Sequence, residues 1–235
     1  EASASPFFDF KDKRFPSQLL QGLSKQREHG IGLDLTIRVE ERTITAHRNI
    51  VMASSTYFDA LLGPNMKEGK ESSVELQGIK YAPLNQLIDF MYSADIAITS
   101  ENVQDILETA NFVGMISICG ACCRFLAQHL DVSNCADILQ LASALDQDHL
   151  KGDASDFFCT HFFEIQGNEG FMSIDITLLT GLLAEDNLRV IDGTVQPTME
   201  NVETALLNIV MNYINFHMYD EPHRLAALLE TVRLP

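Results

Sequence analysis

Cys119, Cys122 and Cys123 form a C-x-x-C-C cluster, to which Cys159 and His161 could in principle add zinc ligands. A structural zinc takes four ligands converging as a tetrahedron. Cys119 and Cys122 fall on a predicted helix and no second C-x-x-C follows, so the cluster reads as ordinary buried or half-buried thiols without metal. Cys123 precedes Arg124, whose cation would mildly favour a thiolate and with it a redox-sensing role. His47 stands beside Arg48 after a strand, with Asp34 on the paired strand. A Ser-His-Asp hydrolase holds its nucleophile on an elbow turn, and neither Ser54 nor Ser55 sits on one. Gly30-Ile31-Gly32 lacks the spacing of a phosphate-cradling loop. Met66 and Glu68 follow Pro64-Asn65 in a link between helix and strand. They pair a flexible apolar knob with a hydrogen-bonding carboxylate, which suits contact with another protein. Phe157, Phe158, Phe162 and Phe163 crowd four rings into seven residues. They cannot all face one helical stripe, so one or two are left to line a groove.

These residues need elements to hold them. Phe7, Phe8 and Phe10 make a short aromatic strand candidate, and from Pro16 a helix carries Leu19, Leu20 and Leu23 on one face. Residues 33–40 alternate apolar and polar, the period of a half-buried strand, and Ile44 and Ala46 continue as its partner after a tight turn. A helix is predicted over 49–63, with Tyr57, Phe58, Leu61 and Leu62 inward, then a third strand at Val74 and Leu76. Pro83 suits a first helical position, ahead of Leu84, Leu87, Ile88 and Met91. Thr99 or Ser100 is the expected cap of the next helix, with Glu101 in its first turn. A further helix is predicted over 117–129. Beyond Asp131 the strand pattern stops. Five amphipathic stripes follow: Cys135/Ile138/Leu139/Ala142, Leu150/Ala154/Phe157/Phe158/His161, Leu178/Leu179/Leu182/Leu183, Val202/Leu206/Ile209/Val210/Tyr213 and Leu225/Leu228/Leu229/Val232. The loop 190–199 breaks the pattern with Gly193 and Pro197 and reads as mobile.

The pattern therefore divides 235 residues into an N-terminal segment (1–15), an α+β domain (16–130) and an all-α domain of helical hairpins (131–235), mostly helical in sum. Charge divides the same way: residues 1–130 hold 12 Lys and Arg against 16 Asp and Glu, residues 131–235 hold 4 against 17. A formal charge of −17 argues against a general nucleic-acid binder and against an anionic membrane surface. No run of about 18 apolar residues could span a bilayer, and no signal peptide is legible. Five cysteines are odd and sparse for a disulfide scaffold, which fits reduced thiols inside a cell. The chain opens at Glu1 rather than at a methionine, as a fragment or processed form would.

Several motifs stand in order: LDLTIRVEERTITAHRNIVMASSTYFDALL, then MKE, LIDFMYSADIAIT and ENVQDILETANFVGM. With Asp34, Ala46-His47-Arg48, Phe58, Tyr92 and Asn102-Val103 in register, this half resembles a BTB (POZ) domain. LDVSNCADILQLA, the stretch around FFCTHFFEI, LLAEDNLRV and the final VRLP resemble the BACK domain of Kelch-like proteins. There are departures: no Gly in the turn at Glu40–Arg42, Tyr213 where a Trp is common, and a long 190–199 loop.

The resemblance implies a non-enzymatic adaptor without cofactor, a homodimer that bridges cullin-3 to substrates for ubiquitination. Substrates would be chosen by a Kelch propeller, which follows VRLP in the family. Met66 and Glu68 fall on the family's hydrophobic-x-Glu cullin motif, with Tyr92 as a neighbouring contact. Phe157, Phe158 and Phe162 would line the groove that takes the cullin's N-terminal arm. Asp34, His47 and Arg48 would form a partly buried network near the dimer interface, made by Leu19, Leu20 and Leu23 with the strand of Phe7, Phe8 and Phe10 exchanged between copies. The expected location is cytoplasmic, with the nucleus as a second compartment. The rival reading is a BTB dimerisation scaffold or transcriptional corepressor without a ligase role. A hydrolase or redox enzyme would need a convergent polar pocket, which the pattern does not supply.

Overall fold

The alternation Leu35-Thr36-Ile37-Arg38-Val39 becomes β1 (Leu35–Val39), with the three apolar side chains buried on one face. The structure, a computed structural model, describes residues 8, 10–165, 169–184 and 199–217. Phe7, nearly all of the 190–199 loop and the final apolar stripe with VRLP lie outside the described residues. β1 pairs antiparallel with β2 (Arg42–Ala46), Ile37 opposite Ile44, and parallel with β3 (Ser73–Glu75), Ile37 opposite Val74, giving the order β2-β1-β3. Of the strand candidate over Phe7, Phe8 and Phe10, the described residues Phe8 and Phe10 are exposed and irregular.

Among the described residues, the helices run α1 (Phe15–Glu28), α2 (Arg48–Ser54), α3 (Thr56–Leu61), α4 (Tyr81–Ser93), α5 (Val103–Phe112), α6 (Ile116–Gln128), α7 (Cys135–Ala144), α8 (Asp148–Thr160), α9 (Phe162–Ile165), α10 (Glu169–Ser173), α11 (Ile176–Ala184) and α12 (Met199–Phe216). The chain forms two compact units, residues 1–119 and 120–235. Their division falls inside α6, earlier than the boundary after residue 130 read from the pattern. The last turns of α6 join the second unit, where Cys123 Sγ lies 3.4 Å from Gln147 Oε1.

Local details correct several expectations. The single helix over 49–63 is two, because Ser55 is extended (φ −143°, ψ 123°). Its hydroxyl accepts the Phe58 N–H at 3.1 Å and donates to the Val113 carbonyl at 2.5 Å, so the break also caps α3. Pro83 is the third residue of α4, not the first. Asn102, not Thr99 or Ser100, stands at the head of α5, and Glu101 precedes the helix. Its Oδ1 accepts the Thr99 N–H at 2.8 Å and its amide donates to the Ala97 carbonyl at 3.0 Å. Asn134 does the same ahead of α7, accepting from Asp131 and donating to His129. Asp131 in turn collects the Ser133 hydroxyl and two backbone N–H groups, which hold its carboxyl below the usual range, the hydroxyl first. His29, His129 and His161 each close a helix: Nδ1–H donates to the carbonyl four residues back, at 2.7, 2.7 and 3.1 Å.

The first core gathers Leu35, Ile37, Val39 and Ile44 of the sheet with Phe58, Leu84, Leu87, Ile88, Ile106 and Leu107 of the helices, all buried. In the second unit Phe158, Phe162, Phe171 and Tyr213 form a chain of ring contacts with centroids 5.7–6.2 Å apart. The Tyr213 hydroxyl donates to the Ile174 carbonyl at 2.6 Å, so a tyrosine buried at this position is satisfied.

Glu40 and Glu41 turn β1 into β2, with φ of 50° and 61°. Both lie in the left-handed region, where a β-carbon costs about 1 kcal/mol. Glu40 has an offsetting bond: its Oε2 accepts the first N–H of α4, from Tyr81, at 2.9 Å. Glu41→Gly should therefore raise stability by about 1 kcal/mol in denaturant titration. Glu40→Gly should gain clearly less, since it also strips the helix of its acceptor; equal gains would mean that bond contributes nothing.

Candidate docking turn and the polar network behind it

The link from α3 to β3 folds back on the end of α3. The Met66 N–H donates to the Gly63 carbonyl at 3.1 Å, and residues Glu68–Lys70 make one 3-10 turn. Gly69 packs against the end of α3 so closely that a β-carbon would meet the Gly63 carbonyl oxygen at 2.1 Å. Only glycine fits there. Met66 projects from this turn 44% exposed, while Glu68 is half-buried. The neighbouring Lys67–Glu71 pair is exposed and 3.7 Å apart, which adds little.

Tyr57 of α3 lies near Glu68. Partial burial, and then the Glu68 carboxylate, push its phenol above the ordinary value of 10.0. Its ring tilts against Phe112 at 4.8 Å. Phe112 and Ile116, the latter 80% exposed, stand off the buried stripes of α5 and α6. The sequence reading missed both, and the signal was available: each is a large apolar residue out of phase with its helix's inward face.

Behind the turn sits the network of His47, Arg48, Asp34 and Tyr92. The His47 Nε2 faces the Ile31 carbonyl at 3.0 Å and must donate to it. Nδ1 then accepts from the Tyr92 hydroxyl at 2.9 Å, whose oxygen takes the His47 backbone N–H at 2.8 Å. The tautomer with its proton on Nε2 matches both neighbours. Burial pushes the Tyr92 phenol up. Arg27 of α1 lies over the Tyr92 ring at 4.9 Å, donates to the Thr45 carbonyl and pairs with Asp89 of α4 at 2.7 Å. Asp34 Oδ1 accepts the Arg48 N–H at 2.7 Å. The Arg48 guanidinium donates to the carbonyls of Glu68 at 3.5 Å, Gly69 at 3.3 Å and Glu71.

The predicted site residues thus separate into groups. Met66 and Glu68 share the exposed turn. Tyr92, at 2% exposure with its hydroxyl committed to His47, is core and not a surface contact. Phe158 and Phe162 are likewise buried inside the second unit, which corrects their reading as groove residues. Phe157, stacked on His161 at 4.2 Å, and Phe163 keep half-exposed rings. Helix α1 buries none of its residues: Leu19 is 54% exposed, Leu20 and Leu23 are half-buried, and Phe8, Phe10, Phe15 and Ile31 are exposed. All five cysteines are thiols. Burial outweighs Arg124 at Cys123 and pushes its pKa up, against the expected thiolate character. Cys135 is pushed up to about 12 by burial first, then by Cys159 and Asp131.

Two family profiles match the chain: the BTB/POZ domain over residues 23–130, and the domain described as BTB And C-terminal Kelch (BACK) over residues 135–235. Kelch-like protein 7 of Rattus norvegicus is 32% identical over 229 residues, which cover 94% of this chain and 37% of that protein, and its Homo sapiens counterpart gives the same figures. Kelch-like protein 17 of Homo sapiens is 30% identical over 223 residues, 95% of this chain and 33% of that protein. The chain thus spans about a third of the length of the curated relatives it matches.

Two outcomes follow from the site's electrostatics. Cys123 edges an open hollow of about 570 Å³ with Arg124, Gln147 and His149, while the other four thiols are buried. A disulfide reagent at neutral pH should modify Cys123 first and slowly, and all five thiols only after denaturation. Fast reaction of more than one thiol in the native protein would contradict this burial. Second, Glu68→Gln should lower the Tyr57 titration midpoint, followed by NMR of its ring. A raised phenol pKa means the fold prefers the neutral ring, so this contribution is full below pH 10.0 and is lost as pH rises through the folded value.

Proposed function

This chain belongs to the Kelch-like family of BTB–BACK proteins, and from that premise we propose that it is a non-enzymatic adaptor that pairs with a second copy of itself and docks the N-terminal domain of cullin-3. Its α+β BTB domain precedes an all-α BACK domain, and it bridges a cullin-RING ubiquitin ligase to protein substrates. A Kelch propeller farther along a longer protein would select those substrates. The observation that carries the reading is the Met66-x-Glu68 turn: an apolar side chain 44% exposed on a backbone held rigid by Gly69 and Arg48. Tyr57, Phe112 and Ile116 supply further apolar surface in the same domain. In the BACK domain, Phe157 and Phe163 are the rings with edges left for a groove.

The apolar residues left exposed on and beside α1 support pairing with a second copy, which would cover them. Asp34, His47 and Arg48 spend their visible bonds within the chain, so they shape that surface rather than reach across it. Five thiols suit a reducing compartment, and we place the protein in the cytoplasm, with the nucleus as a second site. Cullin docking is favoured over a scaffold or corepressor because the BACK domain accompanies the exposed Met-x-Glu turn.

Titration with the cullin-3 N-terminal domain tests this. Met66→Ala should cost about 2 kcal/mol, roughly thirtyfold in affinity. Glu68→Ala should cost about 1 kcal/mol, since its carboxylate is half-hydrated. Light scattering should report dimers for wild type and both variants. No binding by wild type at tens of micromolar would move the reading to the scaffold, and a wild-type monomer would remove the pairing.

A further inference from the structure

We propose that Arg48 is the positioning residue of the docking turn: one guanidinium clasps the carbonyls of Glu68, Gly69 and Glu71 and so holds Met66 and Glu68 as a partner would meet them. The proposal deepens the cullin-docking reading and rests on it.

The turn has few ties of its own. Beyond the Met66 bond to Gly63, its backbone makes the Lys70 N–H bond to Lys67 at 3.0 Å and the Glu71 N–H bond to Glu68 at 3.3 Å. A single 3-10 turn is weakly bonded and leaves carbonyls without partners at its end. Arg48 answers two of these carbonyls, Gly69 and Glu71, and adds a second donor to that of Glu68, which already takes the Glu71 N–H. The guanidinium alone among side chains carries five N–H donors in a planar fork, whereas a lysine offers a point charge with three rotating donors.

Arg48 is itself fixed from behind. Its backbone N–H is held by Asp34, and its neighbour His47 is locked between Ile31 and Tyr92. Successive residues at the head of α2 thus face opposite ways, the imidazole to the core and the guanidinium to the turn. A contiguous series of bonds runs from Tyr92 of α4 through His47 and Arg48 to the residues flanking Met66 and Glu68. The resemblance places Arg48 at the dimer interface; the donors seen here are used on this chain's own backbone instead. A turn ordered before binding loses less conformational freedom when it docks, so Arg48 acts on affinity without touching the partner.

The test uses Arg48→Met, which keeps an apolar stem and removes every donor, beside Arg48→Lys. In the free protein, hydrogen exchange at the Met66, Lys70 and Glu71 amides should accelerate at least about tenfold in Arg48→Met while the β1–β2 amides keep their protection. Affinity for the cullin-3 N-terminal domain should fall about five- to tenfold, with dimers intact by light scattering. Arg48→Lys should restore part of both losses. Unchanged exchange at those three amides would overturn the clasp, as would an affinity loss accompanied by monomers. If wild type fails to bind cullin-3 while Arg48→Met still loosens the turn, the docking reading falls and the clasp stands as a structural device alone.

Discussion

An imidazole and a phenol that share a protein core must satisfy one another, and His47 and Tyr92 do so with the Ile31 carbonyl as the third party. That requirement places three elements at once: the end of β2, the last turn of α4 and the segment leading into β1. It also fits the tautomer with its proton on Nε2. With His47 turned inward, Arg48 faces the opposite way, and its backbone N–H meets Asp34. Arg27 closes the arrangement from α1, covering the Tyr92 ring and pairing with Asp89. The exposed turn at Met66 is the far end of this chain of obligations, so the surface that would meet a partner is set by polar bonds behind it rather than by its own sequence.

The second unit is organised differently. Its aromatic residues meet as a chain of offset and edge-on rings through Phe158, Phe162, Phe171 and Tyr213. Such contacts fill volume and fix the angles between short helices. A dense run of phenylalanines is therefore first of all a core, and only Phe157 and Phe163 of the four have an edge to spare. The thiols follow the same logic. Cys135 and Cys159 are buried among these helices, and Cys123, the one half-buried thiol, is kept protonated by its surroundings despite Arg124.

Local rules are broken where the tertiary structure needs a group in a particular place. Glu40 sits in left-handed backbone and delivers a carboxylate to the head of α4, which has no side-chain cap of its own. Gly69 lets the 3-10 turn close onto the end of α3, a contact that no β-carbon would allow. Ser55 interrupts a continuous helical pattern because its hydroxyl serves both Phe58 and Val113, the latter distant in sequence.

What the residue pattern determined by itself was periodicity and order. Alternation over 33–40 predicted β1, the stripes at Leu84/Leu87/Ile88/Met91 and Cys135/Ile138/Leu139/Ala142 predicted α4 and α7, and the loss of strand signal after Asp131 predicted a helical second half. These signals are local, because burial of one face repeats with the geometry of the element. Motif order carried the family, and with it the Met66 and Glu68 turn. Tertiary structure alone decided which residues of that legible set stay at the surface. Tyr92, Phe158 and Phe162 read as contacts and lie in the core; Phe112 and Ile116 were passed over and are exposed. It alone decided, too, that Arg48 reaches Glu68, Gly69 and Glu71. Those partners stand some twenty residues along the chain, and a hydrogen bond across that separation has no period to announce it.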